Sequence, residues 1–194
     1  NGWEEIVDEL LHLCRGADSE GERTVDPNSS DNFNQTPLLL AARYGWTGVV
    51  RRLLAVQETE ADQRGTSGCS SLLFAARYGH KEIVDRLLAI DGVDPDLKDS
   101  IGCTPLLWAV RNGHTEIVER LLAAKGVDPD WRDKKGYTAL QWAAKSGHVR
   151  VVELLLSTGR VRPESRSLEG FTPLMLATQQ GHHDVVKLLE RHPW

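Results

Sequence analysis

Four histidines that recur at a fixed interval are the first candidates in this sequence for a metal-binding site. They lie 34 residues apart, and they are His80, His114, His148 and His182. Histidine binds metals such as zinc, but the ligands of one ion must converge on one point. Residues that are one structural unit apart do not converge, and adjacent helical residues such as His182 and His183 do not share a face. We therefore predict no metal site.

Cysteine thiols are the second candidate, since Cys69 and Cys103 are also 34 residues apart. If the units stack, these two Cα atoms lie beyond the roughly 7 Å limit for a disulfide. A catalytic thiol needs a general base and a group that orients that base, and the sequence assigns neither. P-loop, G-x-S-x-G, H-E-x-x-H and C-x-x-C motifs do not occur. The sequence therefore predicts exposed, inert thiols, no catalytic residue and no cofactor.

Composition limits the class of protein and its location. The 194 residues are 40% hydrophobic and carry a formal charge of −5. Three cysteines, of which Cys14 is the third, do not form a disulfide framework, so we expect an intracellular protein, cytoplasmic or nuclear. No apolar run is long enough to span a membrane. The chain begins at Asn1 without a signal-peptide pattern, so we expect a processed chain or a fragment.

A 34-residue repeat organises the whole chain. One triplet recurs as Thr36-Pro37-Leu38, Ser70-Ser71-Leu72, Thr104-Pro105-Leu106, Thr138-Ala139-Leu140 and Thr172-Pro173-Leu174. Glycine recurs at the same interval as Gly45, Gly79, Gly113, Gly147 and Gly181. Several columns locked to one period are typical of repeat proteins.

Each column has a physical role in a helix–turn–helix unit. Thr104 can cap the first helix, and Pro105 fits the first helical position because its missing N–H is not needed there. Gly113 can end this helix in the left-handed conformation. The apolar residues between Ile117 and Leu122 then follow the spacing of a second helix.

The rest of each unit is an extended finger loop that connects it to the next one. Gly102 marks the tip of one finger. Asn34 stands at this position in the first repeat, and asparagine tolerates the positive φ that a tight turn requires. Helices this short cannot bury an apolar face alone. The units must therefore stack, which predicts an all-α solenoid of helix–turn–helix units.

These residues resemble the ankyrin-repeat family. Residues 133–156 read D-K-K-G-Y-T-A-L-Q-W-A-A-K-S-G-H-V-R-V-V-E-L-L-L, which is similar to that family's pattern nearly throughout. The V-D-P-D linkers, with Trp108 and Trp142, look like the ankyrin arrays of fungal proteins. In ankyrin repeats generally, a histidine after the helix-ending glycine ties neighbouring turns together.

The repeat register predicts the boundaries of one continuous ankyrin domain. An N-terminal capping half-repeat and loop occupy residues 1–24, with a helix expected over residues 3–14. Five repeats follow over residues 25–58, 59–92, 93–126, 127–160 and 161–194. At the far end, either residues 192–194 cover the last helix or the native chain continues.

The resemblance also implies a binding surface. Ankyrin repeats usually grip partners with the finger loops and with the residue pairs before the helix-ending glycine, on the concave face. The predicted binding residues are Arg43, Tyr44, Arg77, Tyr78, Arg111, Asn112, Lys145, Arg64, Lys98, Arg132, Lys134, Tyr137, Arg166, Trp108 and Trp142. Ten positions of this surface are basic once Lys135 is included, whereas Glu169 is its single acid.

The basic stripe has two interpretations. Aligned arginines and lysines attract an acidic or phosphorylated peptide, or another polyanion. Alternatively, duplication of the repeat has multiplied a neutral residue, or the finger acids Asp31, Asp99 and Asp133 pair with the cations. Trp108 and Trp142 likewise either pack between repeats, which we favour, or line a small-molecule pocket.

The leading functional hypothesis is therefore a monomeric, non-enzymatic protein-interaction module that binds a protein or peptide on its basic concave face. One alternative is an enzyme or small-molecule binder with a pocket around Tyr78, Trp108, Arg111 and Trp142. The other is a binder of nucleic acid or polyanions, against which the net charge of −5 counts.

Overall fold

The computed structural model describes residues 26–191, which fall into two compact units divided after Val93. The predicted capping half-repeat, Cys14 and residues 192–194 lie outside the described residues.

Within residues 26–191 the regular structure consists of ten helices and no strand. The first unit contains α1 (Pro37–Tyr44), α2 (Thr47–Leu53), α3 (Ser71–Tyr78) and α4 (Lys81–Leu88). The second unit contains α5 (Pro105–Arg111), α6 (Thr115–Ala123), α7 (Ala139–Ser146), α8 (Val149–Ser157), α9 (Pro173–Gln180) and α10 (His183–Arg191). The repeat boundaries given above remain a prediction.

The first helix of every pair begins at a hydroxyl cap. The Oγ1 of Thr104 accepts the N–H of Leu107 at 3.2 Å, and Pro105 opens the helix, as the sequence predicted. The same bond occurs at Thr36, Ser70, Thr138 and Thr172. A cap of this kind is worth about 1 kcal/mol, so the triplet column sets where each helix starts.

Stacking buries the apolar face of each pair. In the first unit α1 packs on α3, and α2 packs on α4. In the second unit α7 lies against α5 and α9, while α8 lies against α6 and α10. Alanines that are fully buried allow the first helices to approach closely, and they are Ala41, Ala42, Ala75, Ala76, Ala143 and Ala144. The small side chains in the sequence are thus where neighbouring helices meet.

The finger loops are tight hairpins held by a carboxylate. In one of them, the N–H of Asp133 donates to the carbonyl of Tyr137, and Asp133 Oδ1 accepts the N–H groups of Lys135 and Tyr137. Asp31 and Asp99 hold their loops in the same way. Asn34 has a φ of 52°, so the predicted left-handed conformation is confirmed.

The V-D-P-D linkers join consecutive repeats through their second acid. The carboxylate of Asp96 accepts the N–H of Asp128 at 3.1 Å, and Asp130 accepts the N–H of Arg162 at 3.2 Å. Asp130 also forms an ion pair with Arg162. Asp96 is buried, and this burial raises its pKa. Each of these linkers is therefore fastened to the one that follows it.

A histidine ring fills the space beside the glycine that ends the first helix of the preceding repeat. At Gly147 φ is 73°, and a Cβ built there would lie 2.6 Å from Nδ1 of His182. At Gly181, the equivalent position in the last repeat, φ is 72° and nothing lies within 4 Å of such a Cβ. Both positions require the left-handed conformation, but only at Gly147 would a Cβ atom also collide with a histidine ring.

Substitution of Gly147 by alanine is therefore expected to destabilise the protein more than substitution of Gly181 by alanine. Each change forces alanine into the left-handed region, which costs about 1–2 kcal/mol. Gly147→Ala also displaces the His182 ring and should cost roughly 1–2 kcal/mol more, the value of a lost packing contact and hydrogen bond. Urea unfolding followed by circular dichroism measures both variants, and equal losses would contradict the role of the ring.

Candidate functional site

Cations and aromatic rings alternate along the ends of the first helices. Arg77, Arg111 and Lys145 each stand three residues after an aromatic residue, which is Phe74, Trp108 or Trp142. Residues three apart on a helix share a face. The side chains of the basic column therefore lie beside a column of rings, and each unit presents its own part of this arrangement.

In the first unit the two tyrosine rings of the site are exposed, whereas Phe74 is buried. The guanidinium carbon of Arg43 lies 5.5 Å from the ring centre of Tyr44 and 5.8 Å from that of Phe74. That of Arg77 lies 5.5 Å from the ring of Tyr78. Tyr44 and Tyr78 are 55% and 41% exposed, which leaves both rings open to a partner. Such contacts help to hold the arginines in place.

Two exposed aromatic residues extend the surface of the first unit. Trp46 stacks on Tyr44 with 5.4 Å between ring centres, and it occupies the position that histidine takes in the other repeats. Phe33 lies in the first finger and is exposed. Sequence reasoning did not place Trp46 in the site, although its exchange for histidine was the available signal.

In the second unit the cations are held more tightly. The guanidinium carbon of Arg111 lies over two rings, 4.5 Å from the centre of Trp108 and 4.2 Å from that of Trp142. The Lys145 ammonium nitrogen lies 5.2 Å from the ring centres of both Tyr137 and Trp142. Cation–π contacts of this kind contribute about 0.5–2 kcal/mol each.

Finger carboxylates orient the tryptophans. Oδ2 of Asp99 accepts the indole N–H of Trp108 at 2.8 Å, and Oδ2 of Asp133 accepts that of Trp142 at 3.0 Å. The other oxygen of each carboxylate accepts backbone N–H groups of its own loop. These acids are thus occupied by the loops and the indoles, which argues against the alternative that they pair with the basic stripe.

The basic residues of the fingers fall into two groups. Nη1 of Arg132 donates to the carbonyls of Gly136 and Arg166, and Nη1 of Arg166 donates to that of Gly170, so these side chains brace the loops. Lys98 lies 4.0 Å from the ring centre of Trp131. The other finger cations, Arg64, Lys134 and Lys135, are exposed, as is Arg166. Outside the fingers, the exposed members of the predicted surface are Arg43, Tyr44, Tyr78 and Asn112.

Three predicted exposures are corrected by the structure. Cys69 and Cys103 are buried, although both were expected to be exposed thiols. Tyr137, placed on a fingertip by the repeat register, is 3% exposed, and its hydroxyl donates to Glu169 Oε2 at 3.0 Å. These residues share a column just after the finger tip, where the returning arm of the finger loop turns its side chain into the repeat. Burial and the carboxylate of Glu169 raise the pKa of Tyr137.

The histidines bind backbone, as the family resemblance implied. Nε2 of His80 lies 3.2 Å from the carbonyl oxygen of Arg43, and Nε2 of His148 lies 3.4 Å from that of Arg111. His182 contacts the carbonyl oxygen of Lys145 at 3.1 Å in the same way. Within residues 26–191 no group of three or more His, Cys, Asp or Glu side chains is placed to hold a metal ion.

Two clefts lie at the linkers and turns. One, of about 420 Å³, is lined by residues 59–63 and 90–93, and the other, of about 270 Å³, by Gly147, Val149 and residues 181–185. None of the predicted site residues lines either of these two clefts. Trp108 is buried and Trp142 half-buried, which is the packing role that the sequence favoured for them.

Comparison with models of protein families identifies the repeats. A family model described as ankyrin repeats (3 copies) matches residues 1–99, 72–167 and 106–192. No curated protein matches the sequence. Among the helices of residues 26–191, none has the length and apolar character needed to cross a membrane.

Proposed function

The chain belongs to the ankyrin-repeat family, and on that premise we propose that it is a non-enzymatic module that binds a protein or peptide partner. Ankyrin repeats generally mediate protein–protein interaction, and proteins built from them are typically not enzymes. The proposed surface is the face that carries the pre-glycine residues and the fingers. We also propose that the protein is monomeric and intracellular. Its repeats would then belong to the type of ankyrin array found in fungal proteins.

The observation that supports this proposal is the pairing of cations with rings in consecutive repeats. Arg43 and Arg77 in the first unit, and Arg111 and Lys145 in the second, all lie against aromatic side chains. Tyrosine, tryptophan and arginine are the residues that most often dominate binding energy at interfaces. Because these side chains are already ordered, they lose little further entropy when a partner contacts them.

Charge favours an acidic partner over the other candidates. The proposed surface carries ten basic positions and one acid, although the chain has a net charge of −5. Nucleic acid is less favoured, because the acids elsewhere on the chain would repel its phosphates. A small-molecule or enzymatic pocket is less favoured too, since Arg111 fills the position over Trp108 and Trp142.

Panning of a displayed peptide library tests the proposal. One variant carries Arg77→Glu, Arg111→Glu and Lys145→Glu, and a control carries Arg51→Glu, Lys125→Glu and Arg191→Glu, three exposed cations outside the proposed surface. Peptides selected on the wild type should bind the control normally and the first variant at least about 100-fold more weakly, the loss of several charge-assisted contacts. Equal binding to both variants would sink the proposed surface, provided that circular dichroism shows both folded.

A further inference from the structure

Trp46 differs from the other tryptophans of residues 26–191 in that its indole N–H is not used to hold the fold. We propose that Trp46 is the anchor of the binding surface in the first unit, and that it binds an apolar side chain of the partner that lies next to a carboxylate. This inference rests on the proposed function. It adds a residue that determines specificity and the side chains that this residue recognises.

The indole N–H groups of the other tryptophans in this range are satisfied within the protein. Those of Trp108 and Trp142 donate to finger carboxylates, and that of Trp131 donates to a finger carbonyl at 3.0 Å. Within residues 26–191 the indole N–H of Trp46 donates to no acceptor, and its ring stacks on Tyr44. Trp46 is also 48% exposed. Its ring face and its donor are therefore both open to a partner.

The repeat pattern shows that this position does not require tryptophan. Histidine stands there in the four later repeats. In three of them the Nε2 atom of the histidine lies 3.1–3.4 Å from the backbone carbonyl oxygen of a residue in the preceding repeat. A change of Trp46 to histidine therefore gives the residue that the rest of the chain already uses. Loss of the tryptophan should affect binding more than folding.

Arg43 supplies a positive charge beside the stacked rings. Its guanidinium carbon lies 5.5 Å from the ring centre of Tyr44, and the ring centre of Trp46 lies 5.4 Å from the same point. Arg43 and the Trp46 ring are thus at most about 11 Å apart, which about four residues of extended chain can span. Arg43 is exposed, and within residues 26–191 its guanidinium forms no ion pair. One short segment of a partner can therefore contact both groups.

The chemistry of these groups indicates what the segment contains. An indole presents an apolar face and a polar N–H, which makes tryptophan effective where one side of a contact is dry and the other is wet. A carboxylate can accept from Arg43 in a charge-assisted hydrogen bond. A cationic side chain would also be attracted to an indole, but the charge of Arg43 disfavours it here. The best match is an apolar side chain near an aspartate or glutamate.

Peptides selected on the wild type from a displayed library test this inference. Their affinity for the full 194-residue chain is measured by fluorescence anisotropy. Trp46→His should weaken binding at least about 30-fold, the loss typical of a dominant interface residue. Trp46→Phe, which keeps an aromatic ring but lacks the N–H, should have a smaller effect. The control is Ile90→Ser, which changes an exposed apolar residue of the same unit outside the proposed surface and should preserve affinity.

The indole N–H provides a second readout, which a purely structural role would not move. The six tryptophans give six indole signals in the NMR spectrum of the ¹⁵N-labelled protein, and Trp46→His assigns one of them by removing it. A selected peptide should shift this signal more than the other five. The same peptide with its acidic residues replaced by amides, or with its apolar residue replaced by alanine, should bind at least about 10-fold more weakly.

The contrary outcomes are distinguishable. Full-strength binding to Trp46→His, combined with weak binding to the variant of Arg77, Arg111 and Lys145, would refute the anchor and leave the proposed function standing. Selected peptides that lack an apolar residue near an acid would refute the proposed recognition. Unfolding of Trp46→His, seen by circular dichroism, would show that the tryptophan supports the fold instead. If the wild type selects no peptide, the inference and the proposed function both fail.

Discussion

Replacement of Gln141 by leucine is expected to lower the free energy of unfolding by about 2–4 kcal/mol, because it leaves buried polar groups unpaired. Gln141 is fully buried on α7. Its Oε1 accepts the N–H of Thr138 at 2.9 Å, and its Nε2 donates to the carbonyls of Ser165 at 3.1 Å and Phe171 at 2.7 Å. The side chain thus caps its own helix and fastens the following finger.

The direction of this effect is opposite to what the repeat pattern suggests. The same column carries Leu39, Leu73 and Leu107 in three other repeats, so a consensus argument favours leucine. The matched control is Met175→Leu, in the same column of the last repeat, where the side chain is exposed and a change within about 0.5 kcal/mol is expected. Urea unfolding measures both, and a neutral Gln141→Leu would mean that these backbone groups find other partners.

Cys103 is expected to react with iodoacetamide at pH 8 at least about 1,000-fold more slowly in the folded protein than in urea, since the thiolate is the reactive form. The pKa of this thiol is raised from 9.0 to about 12, mainly by burial and further by the carboxylates of Asp99 and Asp133, with the charge of Arg111 opposing the shift. Mass spectrometry of the peptide containing Cys103 gives the rate in each state. Comparable rates would show that the thiol is accessible.

The same shift predicts a loss of stability in alkali. Because the pKa is higher in the folded state, the unfolded chain releases the proton first as pH rises, and the free energy of unfolding falls between about pH 9 and pH 12. Cys103→Val should lack this part of the alkaline loss. The difference between wild type and variant isolates the thiol from lysines and tyrosines that titrate in the same range.

The fold was predictable because each spacing that recurs along the chain has a local physical cause. Thr104 and Pro105 start a helix, and Gly113, with a φ of 72°, lies just beyond its end. These are interactions between near neighbours, so a single sequence reveals them. The predicted all-α ankyrin-repeat solenoid is confirmed by the helices of residues 26–191 and by the family match.

The surface was harder to predict because it depends on which way a loop side chain turns. The column that contains Cys69, Cys103 and Tyr137 follows the finger tip, and the sequence alone placed it in solvent. Its apolar and aromatic character was the signal for burial. The pairing of Trp108 with Arg111 was visible in their spacing, whereas the contact between Arg111 and Trp142 spans two repeats and required the structure.

The contact between His182 and the carbonyl oxygen of Lys145 has a thermodynamic consequence. The backbone of a proposed binding residue is held by the turn of the repeat that follows it. Local opening of α9 and α10 would break this contact, and the side chain of Lys145 would then be held less firmly. By linkage, a ligand bound at Lys145 must therefore slow amide hydrogen exchange in α9 and α10, even if it touches neither helix.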